Sequence, residues 1–201
     1  MAMSTGWLPP ASIEAERAIR SLNRLKVVVD PSRAVLRISS FRRRDDFRAD
    51  VNELGIVRAF SILESYLSER GDTIIRRELP VPTPPPKLVE YAHLHLMASL
   101  RGNFDRGPVR LWRRGLGVEI NNFRRRKDVD DLRELRNLVT HALGYVRPGG
   151  TPLPASLNTR LTRLTSDPAS YVGRIPVTDD DVGDALALVR EFVVWVDAQR
   201  P

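Results

Sequence analysis

The chain has 201 residues, 42% hydrophobic and 28% charged, with 32 lysines and arginines against 25 aspartates and glutamates for a net charge of +7. That is enough apolar chain for one sizeable core, and it argues for a single domain over residues 1–201. The lack of cysteine excludes a disulfide framework and any thiolate metal site, no apolar run approaches the roughly 20 residues of a membrane span, and the N-terminal residues do not resemble a signal peptide, so a soluble cytoplasmic protein with no membrane partner is expected.

Following Pro9-Pro10, a Ser12 cap and the near-helical spacing of Ile13, Ala18, Ile19, Leu22 and Leu25 predict a first helix over 11–26. Val27-Val28-Val29, Asp30-Pro31 and the poorly alternating Val35, Leu36 and Ile38 predict a connector with short extended pieces. From about Ser40 to Arg70 the residues Phe47, Val51, Leu54, Val57, Leu63, Tyr66 and Leu67 predict one apolar helix face, with a stop at Gly71. Five prolines within Pro80 to Pro86 predict a loop or polyproline stretch. Leu88, Val89, Ala92, Leu96 and Leu100 carry the next helix to about Arg101, and Gly102, Asn103, Gly107 and Pro108 break it.

A shorter segment from Trp112 to Ile120 leads into the basic run Arg124-Arg125-Arg126-Lys127. Val129, Leu132, Leu135, Val139 and Leu143, at steps of three or four, predict a helix over 128–143 with Asp128, Asp130 and Asp131 in its first turn and an end at Gly144. Pro148 to Pro154 reads as a second loop, followed by a short helical turn at 155–165 and an extended piece from Val172 to Val177. Thr178 and the Asp179-Asp180-Asp181 run cap a last helix through Val182, Leu186, Val189, Phe192, Val193 and Val196. These elements predict an all-α, up-and-down bundle of five or six helices with long proline-rich loops and little or no sheet. Its core spans about 41–199, preceded by an N-terminal helix and connector over 1–40.

The charge excess favours a polyanion, through attraction to phosphates and counterion release. Arginine supplies nearly all of it, since Lys26, Lys87 and Lys127 are the only lysines. Arg42-Arg43-Arg44, Arg113-Arg114 and Arg124-Arg125-Arg126 are candidate backbone contacts or solvated helix surface. His93 and His95 are two apart and so about 200° apart on a helix, too splayed to share an ion easily. The aspartates at 179–181 are accounted for by the helix macrodipole. No phosphate-binding glycine loop and no GxSxG elbow occurs. No metal and no cofactor is expected.

What remains is Arg136-Asn137-Leu138-Val139-Thr140-His141, a fixed cation and a side chain able to exchange protons near neutral pH, five residues apart on a predicted helix. The stretch resembles the signature of the HEPN superfamily of small helical ribonucleases, an arginine, a polar residue, a short variable run and a histidine. Arg58 to Leu67, with Glu64 between apolar residues, is similar to that family's early helix. Gly173 to Val182 followed by Val189 to Val193 is similar to its short extended segment and closing helix. Position 143 is leucine where HEPN toxins controlled by tyrosine modification carry tyrosine, and Tyr145 lies two further on, which weighs against that route of regulation.

The resemblance implies a homodimer with the motif helices of two protomers facing each other. Helix geometry points the same way, because residues five apart differ by about 140° around the axis and about 7.5 Å along it. A two-fold axis could gather both copies at one cleft, and a local break near Gly144 is another way to do so. In the expected reaction His141 serves as general base or acid, Arg136 holds the scissile phosphate, Asn137 orients it, and a ribose 2′-hydroxyl attacks. Glu64 is a supporting candidate, and Arg133, Arg147, Arg124, Arg125 and Arg126 are candidates for RNA backbone contact. The expected partners are RNA, a second copy and an antitoxin or immunity protein. The alternative is a catalytically silent HEPN-like module for RNA binding or protein interaction.

Overall fold

The computed structural model describes residues 13–29, 41–78, 86–100, 103–142, 145–146 and 173–199. Among these the architecture is all-α, with helices α1 (Ile13–Val29), α2 (Phe41–Glu78), α3 (Lys87–Leu100), α4 (Arg110–Arg114), α5 (Arg126–Ala142) and α6 (Asp179–Gln199). The only sheet among the described residues is one antiparallel pair, β1 (Tyr145–Val146) and β2 (Gly173–Arg174), with Tyr145 opposite Arg174. No helix of the described residues is long and apolar enough to cross a membrane. The chain divides into two compact units, one built from residues 1–21, 62–124 and 190–201 and the other from 22–61 and 125–189.

In the first unit, two-residue steps of burial run along α2 at Ile62/Leu63, Tyr66/Leu67, Arg70/Gly71 and Ile74/Ile75, which is the 3.6-residue repeat expected of a helix packed along one stripe. Trp112 of α4 is fully buried against this stripe, and its Nε1 donates to the carbonyl of Leu67 at 3.1 Å, so the indole carries no unmet donor inside. Arg70, 7% exposed, makes an ion pair with Asp197 at 3.2 Å. Ahead of α4, Asp105–Val109 forms one π-type turn containing Pro108. The Val109 N–H donates five residues back, to Phe104, at 3.0 Å, a pattern that accommodates the donor missing from proline. Phe123 meets Phe192 edge to face at 5.2 Å between centroids and closes the core of this unit.

In the second unit, Ile56, Ala59 and Phe60 of α2 are buried, as are Val129, Leu132, Leu135 and Val139 of α5 and Val182, Ala185, Leu186, Leu188 and Val189 of α6. Asn52, 3% exposed, uses both amide hydrogens, donating to the carbonyl of Val177 and to Asp179 Oδ1 at 3.0 Å each. Helix α6 begins with a reciprocal cap: Thr178 Oγ1 accepts from the Asp181 N–H, and Asp181 Oδ2 accepts from the Thr178 N–H at 2.7 Å. Gly55 lies close to Val182, where an added Cβ would stand 2.9 Å from a valine methyl.

Several expectations need correction. Val27 to Val29 continue α1 rather than forming a connector. Helix α2 does not stop at Gly71 but runs to Glu78. Gly71 is there because the chain comes close, a Cβ at that position falling 2.6 Å from Leu100 Cδ2 and 3.5 Å from Trp112 Nε1. Leu54, placed on the apolar face from its sequence, is 67% exposed. Of the predicted extended piece at 172–177, the described residues begin at Gly173, and among them only Gly173–Arg174 pairs as strand. The predicted loops at 80–86 and 148–154 fall outside the described residues apart from Pro86, and the turn at 155–165 falls outside them entirely.

Gly71→Ala should therefore lower stability by about 1–3 kcal/mol through overpacking, although alanine is the better helix former. Gly183→Ala in α6, where nothing lies within 4 Å of the added Cβ, should raise it by up to about 1 kcal/mol. Urea denaturation of the two variants, read as midpoints at constant slope, checks the opposite signs.

Candidate functional site

Helix α5 carries the motif because its sequence satisfies both a core and a surface. Val129, Leu132, Leu135 and Val139 bury one side, and Asp128 in the first turn complements the positive end of the helix dipole. Arg136, Asn137 and His141 fall outside the apolar stripe, Arg136 and Asn137 half-buried and His141 exposed in the last turn.

The arginine is held on two sides. Its Cζ lies 5.7 Å from the centroid of Phe60, a fully buried α2 residue, in a cation–π arrangement. Its Nη1 donates to Asn137 Oδ1 at 3.0 Å. Asn137 and His141 are four residues apart, hence about 40° apart around the helix and about 6 Å along it. Asn137 thus joins the two motif residues: it shares an outward edge with the imidazole and anchors the guanidinium, which by itself lies on the flank of the helix. Thr140 Oγ1 donates to the Arg136 carbonyl at 2.8 Å, an internal bond of the helix.

The end of α5 is anchored through Arg174. Where β1 follows the helix, its partner β2 supplies Arg174, whose Nε donates to Glu53 Oε1 at 2.7 Å and whose Nη2 donates to Asp50 on α2. The hydrogen bond with Glu53, then that with Asp50, raises the guanidinium pKa well above its ordinary value, so the arginine stays charged. Asn52 and Arg48, from the same stretch of α2, reach Asp179 in parallel. Neither Phe60 nor Arg174 stands out by residue type; Phe60 could have been found from its position on the α2 stripe, whereas Arg174 has no local signal at all.

The other candidate residues are distributed differently. Glu64 is half-buried on α2 and belongs to the first compact unit, while Arg136, Asn137 and His141 belong to the second. Arg124 Nε donates to Glu191 at 2.6 Å, Arg125 Nε to Asp128 at 2.6 Å and Arg126 Nη1 to Asp130 at 2.5 Å. Arg133 Nη2 donates to Glu134 at 2.9 Å. Each of these four cations is therefore offset by a carboxylate before any phosphate arrives. Arg147 lies outside the described residues.

Between α5 and α6 runs a groove of about 330 Å³ with Ile56, Leu132, Leu135, Ala185 and Leu188 in its lining. Asp128, Asp131, Asp181 and Asp184 also line it, with Arg125 as the cation among the described lining residues. Four carboxylates in one groove make it unfavourable to an anion. No family model, curated protein or solved structure matches the chain.

Replacing Arg174 by glutamine should leave the Glu53 carboxylate, 8% exposed, without its cation. The cost expected is about 2 kcal/mol, below the range for fully buried pairs because the arginine side chain is itself partly solvated. Thermal unfolding measures that loss. A concurrent rise in hydrogen exchange of the last turn of α5 would show that the link anchors the motif helix.

Proposed function

We propose that this chain is a metal-independent endoribonuclease of the HEPN type, acting as a toxin or antiviral defence effector, with its site composed at a homodimer interface. The observation that carries the reading is the seating of Arg136 on Phe60 by Asn137, with His141 exposed on the edge that Asn137 shares. A guanidinium fixed in this way loses little freedom on taking a phosphate. Its planar fork of donors matches the non-bridging oxygens and the charge that grows on them in the transition state.

In the proposed reaction the imidazole of His141 takes the proton of a ribose 2′-hydroxyl. The freed oxygen attacks the adjacent phosphorus, and the bond to the departing 5′-oxygen breaks as that oxygen is protonated. The histidine of the second protomer supplies that proton, so the two copies divide the base and acid roles. The products are a 2′,3′-cyclic phosphate and a 5′-hydroxyl. DNA, lacking the nucleophile, stays intact. An antitoxin or immunity protein would act by covering the outward edge of α5.

Purified protein incubated with mixed cellular RNA in EDTA should cleave it and leave DNA of the same sequence whole. His141→Ala should lower the rate by about 100-fold or more and Arg136→Ala by about 100- to 1,000-fold, each with unchanged circular dichroism. Asn137→Ala, which removes a hydrogen bond to a charged group, should cost roughly tenfold or more. RNA that is bound but never cut by the wild type would instead assign the chain to the catalytically silent RNA-binding class. Neither binding nor cutting would remove RNA from its function.

A further inference from the structure

The arginines that the sequence offers for backbone contact at 124–126 are neutralised within the protein. A different set is not. Along the helical stretch 105–114, Arg106, Arg110 and Arg114 recur every fourth residue, and all three are exposed. None of their side chains makes a hydrogen bond or ion pair with any described residue. Arg113 is exposed beside them, with Glu119 at the outer limit of contact, 3.9 Å away. Asp105 is the one carboxylate on the exposed side of that stretch.

The other side of the same stretch is locked down. Gly107, Pro108, Val109, Leu111 and Trp112 are buried, and the indole N–H of Trp112 is tied to the Leu67 carbonyl. The cations therefore stand on a rigid base, in a line about 12 Å long at helical rise. Among the exposed residues of 105–114 none is apolar, so a lipid surface would find nothing to insert. A linear row of planar, always-charged donors suits a linear polyanion whose charges repeat along its length.

We propose that Arg106, Arg110 and Arg114, with Arg113 at the margin, form the ridge that grips the phosphate backbone of single-stranded RNA. This rests on the RNA reading above, and it assigns to the stretch 105–114 the backbone affinity that the 124–126 run had suggested. The ridge supplies sequence-independent binding and takes no part in the chemistry at His141.

A fluorescent 2′-O-methyl RNA oligonucleotide, which cannot be cut because its nucleophile is blocked, serves as probe in titrations across salt concentrations. The triple variant Arg106→Gln, Arg110→Gln, Arg114→Gln should reduce the slope of log affinity against log salt by about 2. It should also weaken binding about a hundredfold at 0.1 M salt. The triple Arg→Lys variant should keep most of the slope, which separates charge from any folding defect. Removing a neutralised pair as Arg124→Gln with Glu191→Gln should leave the slope at its wild-type value.

Wild-type slope and affinity in the triple glutamine variant would overturn the ridge while leaving the RNA reading intact. So would a slope lost through the Arg124 pair instead. A wild type that fails to bind the oligonucleotide at low salt would overturn both. Binding of wild type, but not the triple variant, to phosphatidylserine vesicles with no difference on RNA would reassign the ridge to membranes and overturn the proposal.

Discussion

Asn52 is the residue on which the arrangement around the motif helix depends. It is buried in α2 and gives both amide hydrogens to the segment that starts α6, one to the carbonyl of Val177 and one to the carboxylate of Asp179. A buried amide left without those acceptors would be costly, so the entry to α6 has one favourable position along α2. Arg174, three residues upstream of Val177, is held to Asp50 and Glu53 on the same helix and carries β2 with it. Since β2 pairs with β1 just beyond α5, the chain is restrained on both sides of the motif's C-terminal end.

Within the motif itself, tertiary contact and helix spacing act together. An arginine and a histidine five residues apart on an isolated helix diverge, and each would be an ordinary solvated side chain. Here the arginine is drawn against a buried phenyl ring, and the neighbouring asparagine ties its guanidinium to the edge that carries the imidazole. The two interactions act together, because the ring beside the guanidinium is fully buried and the asparagine is the next residue on the same helix. The groove between α5 and α6, lined by Asp128, Asp131, Asp181 and Asp184, is unfavourable to an anion.

Positive charge in this chain is abundant but unevenly available. Arginine runs that look alike in sequence differ in what surrounds them: those at 124–126 each have a nearby carboxylate, two of them within four residues along the chain and one on α6. The side chains of those at 106, 110 and 114 pair with no carboxylate of the described residues. Net charge therefore says little about where a polyanion would bind until the internal ion pairs are known.

The helices were legible from the sequence because their signals are local. The periodic apolar residues of α5, the Thr178–Asp181 cap of α6 and the break after Leu100 act within one or two turns of chain, and they led correctly to an all-α bundle. The grouping of Arg136, Asn137 and His141 on one helix was likewise readable from spacing. Tertiary structure alone decided that Gly71 continues a helix, because its meaning lies in the closeness of Leu100 and Trp112 and not in its neighbours along the chain. It alone decided that Phe60 lies under Arg136 and that Arg174 holds the far end of the motif, residues 76 and 38 positions away in a sequence that gives no hint of the pairing. Propensity and capping are set by adjacent residues, whereas ion pairing, close packing and the support of a reactive side chain are set by whatever the fold brings alongside.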